Sequence, residues 1–136
     1  MKRVICLIFA TSLLFVSCKK EAKTDFDASI VENTTTIKFD RDVIDFKSLA
    51  HGESVTGSFK FSNTGKHDLV ISEVTSSCGC TVADYPREAI KPGKEGMITI
   101  TYDSKGYSGK RITKDVNVVS NTIPSITKLR IIADVH

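Results

Sequence analysis

This sequence contains no tryptophan, only three prolines and three histidines, and little surplus of either charge. It also lacks an apolar stretch long enough to cross a membrane as a helix. The longest, residues 4–16, falls well short of the roughly 20 residues that a spanning helix needs. No Gly-x-Ser-x-Gly elbow, P-loop or His-Glu-x-x-His segment occurs, so hydrolase and nucleotide chemistry have no motif behind them. Past the leader, no stretch shows helical spacing.

What is present begins with an export address. Lys2 and Arg3 precede the short apolar run, which has the shape of a secretory signal peptide over residues 1–17. The run ends in FVSC. That resembles a lipobox, the motif at which bacterial lipoproteins are cut and the new terminal cysteine, here Cys18, is acylated; Phe15 stands where leucine is usual. The plainer alternative leaves Cys18 an ordinary thiol after cleavage beside Ser17. Two or more acyl chains would hold a soluble domain firmly at a bilayer. Lys19, rather than Asp, points to the outer membrane. Residues 18–34 are polar and aperiodic and read as a lipidated flexible tether.

Removing the leader takes Lys2 and Arg3, leaving 17 basic side chains against 16 acidic ones. No basic patch remains, so nucleic-acid binding has no electrostatic footprint. The leader also takes Cys6. With Cys18 acylated, the remaining thiols are Cys78 and Cys80, in an oxidising compartment where thiol pairs become disulfides.

From Thr35 the apolar pattern has period two. Ile37 and Phe39 share a face, as do Ile44 and Phe46, and then Val55, Gly57, Phe59 and Phe61. Asn63-Thr64-Gly65 reads as a turn into a return strand through Leu69 and Ile71, which predicts a hairpin. Pro92-Gly93 reads as a turn, residues 103–109 as a Gly/Ser loop. Three further inward phases follow: Ile98, Ile100 and Tyr102; Ile112, Lys114, Val116, Val118 and Ser120; and Leu129, Ile131, Ala133 and Val135. Seven or eight short strands predict an all-β fold, an immunoglobulin-like antiparallel sandwich over residues 35–136. Cysteines two residues apart cannot bridge two sheets, so its core rests on aliphatic and Phe side chains.

The order of landmarks is specific: DFxxxxxGE at 45–53, FxFxNTGxxDLVI at 59–71, SSCGCTVADYP at 76–86, IKPGKEGMITITYDSKGYSGK at 90–110 and VVSN at 118–121. Over about residues 36–135 this resembles the bacterial family catalogued as domain of unknown function 1573. That family is common among lipoproteins of Bacteroidota-type envelopes and is similar to the hydin-type immunoglobulin-like domains. The resemblance implies a location and a fold but no activity. Lys47 departs from the family's usual glycine after Asp-Phe, which argues against a positive-φ bend there.

Cys78-Gly79-Cys80 is the chemically active element, with three readings. It closes a small strained ring or packs as small apolar groups; it exchanges thiol for disulfide; or it captures a soft metal such as copper or zinc. Two thiolates are too few for a closed zinc site, so His51, His67 or His136 would have to converge on them. His51 and His67 otherwise flank turns and read as exposed. Asp84, Glu88 and Asp103 read as solvated loop carboxylates. Tyr85, Tyr102 and Tyr107 surround the cysteine and Gly/Ser segments and suit core edges or a recognition patch. The expectation is an envelope lipoprotein with a non-catalytic binding or scaffolding module and protein partners, needing no cofactor or small-molecule substrate. The alternative is a thiol-redox or metal-handling protein.

Overall fold

The computed structural model describes residues 33–77 and 81–136. Eight strands follow in order: β1 (Ile37–Phe39), β2 (Val43–Leu49), β3 (Ser54–Asn63), β4 (Ile71–Ser76), β5 (Thr81–Asp84), β6 (Glu95–Asp103), β7 (Lys110–Ser120) and β8 (Ile126–Val135). Among the described residues there is no helix. The strands form two four-stranded sheets, ordered β1-β3-β6-β5 and β2-β8-β7-β4. Only β2 and β8 pair in parallel among the named strands.

The period-two pattern dictates the core. Phe59, Phe61, Ile98, Ile100 and Tyr102 of one sheet are fully buried with Val116, Val118, Ile131 and Ala133 of the other. Most of their outward neighbours carry hydroxyls or charges, with Met97, Asn117, Val119 and Ile132 as exceptions. Thr56 meets Thr101 across the first sheet's outer face, while the second sheet's outer face carries the ion pairs Arg111–Asp134 and Arg130–Asp115. Such exposed pairs contribute little stability each.

The expected hairpin between β3 and the return strand does not form. β3 lies between β1 and β6, whereas β4 pairs with β7 in the opposite sheet. The buried Asn63 side chain explains this. Its Oδ1 accepts the Gly65 N–H and its Nδ2 donates to the His67 carbonyl. The chain curls round that amide, and Leu69 then pairs with Ile90 instead of with β3. The Pro92-Gly93 turn forms as read: Gly93 has φ +74°, and the Lys94 N–H closes onto the Lys91 carbonyl.

Lys47 also corrects an expectation. It takes φ +61° without being glycine, within a register shift between Asp45 and Ser48. The Asp45 carboxylate makes this tolerable by accepting both the Lys47 backbone N–H (2.9 Å) and its ammonium (3.0 Å).

Candidate functional site

Cys18, Cys78 and Cys80 lie outside the described residues, as does the signal peptide. The histidines are placed, and they diverge. His51 follows β2 and donates its N–H to the carbonyl of His136, just past β8. His67 sits in the loop before Leu69, beside Asn63, at the other end of the sandwich. The ten-residue β8 lies between these ends and spans roughly 30 Å. One ion cannot take both His51 and His67. Among the described residues no three His, Cys, Asp or Glu side chains gather as a metal site.

The crossing from β4 to β5 joins edge strands of different sheets. Its two ends are fixed: the Ser77 N–H donates to the Asp115 carbonyl of β7 (3.1 Å), and Thr81 pairs with Tyr102 of β6. Three groups collect beside these ends. Lys114 shares the inward phase of β7 between buried Ile112 and Val116, and its ammonium donates to the Tyr107 hydroxyl at 3.0 Å and lies 4.6 Å from that ring's centre. Tyr102 is fully buried, and its hydroxyl has no hydrogen-bond partner among the described residues. Burial pushes that hydroxyl above the ordinary tyrosine range, with Tyr107 and Asp103 adding to the shift.

Tyr85 closes the same flank further along. Its hydroxyl bonds the Ser72 carbonyl of β4 and accepts from Arg87, whose guanidinium lies 3.9 Å from the ring centre. The three tyrosines therefore have different duties, and only Tyr102 is core. Asp84 and Asp103 end strands rather than lying in loops, and Asp103 accepts the Lys105 N–H. Glu88 is exposed.

Sequence reasoning missed a pair of asparagine knots at the opposite end. Asn63 Oδ1 accepts the Thr35 hydroxyl (2.7 Å), and its Nδ2 also donates to the Ile90 carbonyl. Asn121 accepts the Val70 N–H and donates to the carbonyls of Asn33 and Asp68. The first described residues are thereby fastened to both sheets. A cleft of about 420 Å³, lined by Asn33, Lys66, His67, Asp68, Val70 and Asn121, opens there. The signals were the N of the NTG segment and the last N of VVSN, which read only as turn and strand end.

The edges differ in openness. β1 has three residues, and β2 carries the Lys47 bulge with its paired charges, two devices that discourage further pairing. β4 has six residues, a register shift confined to its start between Ile71 and Glu73, and among the described strands only β7 beside it.

The sequence profile of the family described as Protein of unknown function (DUF1573) matches residues 37–135. No curated protein matches this chain. A protein of unknown function from Porphyromonas gingivalis W83 superposes with a TM-score of 0.65 at 21% identity, over 75% of this chain and 47% of that one. This chain thus spans about half that protein's length. The PapD-like domain 7 of human CEP192 superposes at 0.58 with 10% identity, over 100% of this chain and 97% of that one. The periplasmic chaperone SfaE does so at 0.53 with 10% identity, over 74% and 58%. At these identities the likenesses show an immunoglobulin-like, PapD-like fold.

Proposed function

The chain belongs to this family of unknown function, DUF1573, and from that premise we propose that it is an envelope lipoprotein whose sandwich is a non-catalytic, protein-binding module. Acylated Cys18 anchors it, residues 18–34 tether it, and the domain from about residue 35 presents an edge strand to an envelope partner. One observation carries the reading: β4 is an edge strand of six residues whose register shift lies at its start, between Ile71 and Glu73, while the edge strands β1 and β5 are shorter and β2 is bulged in its middle. An exposed strand edge offers unpaired main-chain groups to an extended segment of another chain. The likeness to a periplasmic chaperone supports an exported domain that meets other proteins. No small-molecule substrate or nucleic acid is part of this reading.

Two measurements test it. Cys18→Ser is expected to move the protein from the membrane to the soluble fraction; retention in the membrane removes the anchor from the reading. A photo-crosslinking residue at Thr75 on β4 is expected to trap a discrete envelope protein that the same residue at Lys128 on β8 does not. Adding Lys at Glu73, beside the crosslinker, should abolish the product by blunting the edge. Equal products from both positions would exclude β4 as the binding edge.

A further inference from the structure

The exposed apolar side chains of this domain are not scattered. Among the described residues the large ones are Val43, Val70, Met97, Ile123 and Ile126, and all five stand in the half of the sandwich where Asn33 enters. Asn121 joins Asn33 to Val70 there, Ile123 lies in the same connection as Asn121, and Ile126 opens β8. Met97 is the third residue of β6, and Val43 faces Arg130, the fifth of β8; both β6 and β8 start at this end. The described residues of the opposite end, with His51, Glu53 and the 104–109 loop, expose no large apolar group. Single exposed apolar groups are ordinary on a protein surface, but their confinement to one end is not. Ile123 is the extreme case, 74% exposed, with Ile126 at 50%.

The charges around them suit a membrane surface. The described connections at this end, residues 64–70, 85–94 and 121–125, hold four basic side chains, Lys66, Arg87, Lys91 and Lys94, against two acidic ones, Asp68 and Glu88. Asp68 is already paired with Lys91 at 2.7 Å. The Lys66 ammonium has no carboxylate partner among the described residues, and with His67 it lines the cleft of about 420 Å³. An apolar tip ringed by cations fits the boundary between acyl chains and anionic phosphate headgroups. Cys18 stands fifteen positions before Asn33, a link that spans at most about 50 Å. An anchor at Cys18 therefore holds this end at high local concentration beside a bilayer, more so than the opposite end roughly 30 Å further on.

We propose that the end of the sandwich carrying Ile123, Ile126 and Val70 docks on the bilayer surface, with the isoleucines at the headgroup boundary and Lys66 on lipid phosphate. This rests on the proposed Cys18 anchor and not on pairing through β4. It directs β4, which begins at this end with Ile71, away from the bilayer.

The absence of tryptophan makes the test direct, because one introduced indole reports alone. The exported protein, purified with its own anchor, is reconstituted in vesicles of phosphatidylethanolamine and phosphatidylglycerol, with or without bromine on the acyl chains. Flotation first reads whether it is held by the vesicles. Ile123→Trp is then compared with Lys105→Trp at the opposite end; both positions are exposed, so neither substitution enters the core. The indole at 123 is expected to emit further to the blue and to lose at least roughly threefold more of its emission to the brominated chains than the one at 105. Because tryptophan itself favours interfaces, Val70→Trp supplies a second reading. Adding Ile123→Ser and Ile126→Ser to it is expected to remove most of the quenching, and high salt to weaken it. Protein that floats with its indoles at 123 and 105 quenched alike overturns the docking and leaves the anchor standing. Protein that does not float removes the anchor and the docking with it. An indole at 123 that is shielded from aqueous iodide but untouched by brominated chains places a protein, a second copy included, on this end and overturns the docking as well.

Discussion

Thr35 and Asn63, 28 positions apart, are joined by a buried hydrogen bond of 2.7 Å from the threonine hydroxyl to the amide oxygen. Through it the first described residues are locked to the end of β3, while the Thr35 N–H is taken by the Asn121 carbonyl of the other sheet. In the proposed tethered protein, a pull on the tether would reach the domain first at this point. The two asparagines convert that point into a junction of both sheets.

Asn63→Ala should therefore be among the most damaging single changes in the domain. It strips partners from the Thr35 hydroxyl, the Gly65 N–H and the carbonyls of His67 and Ile90. Unpaired buried groups cost about 1–3 kcal/mol each, so a loss of roughly 3 kcal/mol or more is expected. Thr35→Ala, which removes one bond, should cost about 1 kcal/mol. Urea unfolding of both variants checks the ratio; equal, small losses would show that the knot is not a stability centre.

Gly65 tests the same junction sterically. A Cβ there would meet the Thr35 hydroxyl oxygen and lie 2.5 Å from the Thr36 nitrogen. Because one obstacle is backbone, the lead-in segment must move. Gly65→Ala is expected to lower stability by about 1–3 kcal/mol, as overpacking does, and to speed proteolysis near residue 35 while β6 to β8 stay protected. Unchanged cleavage kinetics would contradict this.

Lys47 gives a prediction of opposite sign. A non-glycine residue in the left-handed region costs on the order of 1 kcal/mol, so Lys47→Gly is expected to stabilise the domain by a little under that amount. The bulge also has an acid limb. Asp45 sits below the usual carboxylate value of 3.8, first because it accepts the Lys47 N–H and then through the lysine side chain. A group with a lowered folded value contributes stability above its unfolded value, and that contribution fades as pH falls through the folded one. Asp45→Asn should therefore flatten the stability curve only below about pH 4. A changed slope near neutrality would assign the effect elsewhere.

How much of this was legible follows from what a period-two pattern encodes. Alternation assigns faces, so Phe59, Ile100 and Leu129 were placed in the core correctly. It does not encode partners. The Asn63-Thr64-Gly65 turn signal was real, yet β4 left for the other sheet because the Asn63 amide binds backbone at Gly65, His67 and Ile90. Long-range amide bonding of this kind has no local signature. Lys47 was misread for a related reason: the bend is enforced by strand pairing and by Asp45, which override the residue's own preference. Lys114 was visible as an odd member of an inward phase. Only the topology shows that it stands beside the crossing that carries the cysteine pair.

Tyr102→Phe tests what the buried Tyr102 hydroxyl costs the domain. The hydroxyl is buried and has no partner among the described residues, a state that costs roughly 1–3 kcal/mol. Phenylalanine keeps the ring and its packing against the core while deleting the unsatisfied group. The variant should therefore be as stable as wild type or about 1 kcal/mol more stable, measured by urea unfolding under reducing conditions. A loss of stability would mean that the hydroxyl has a structural partner instead.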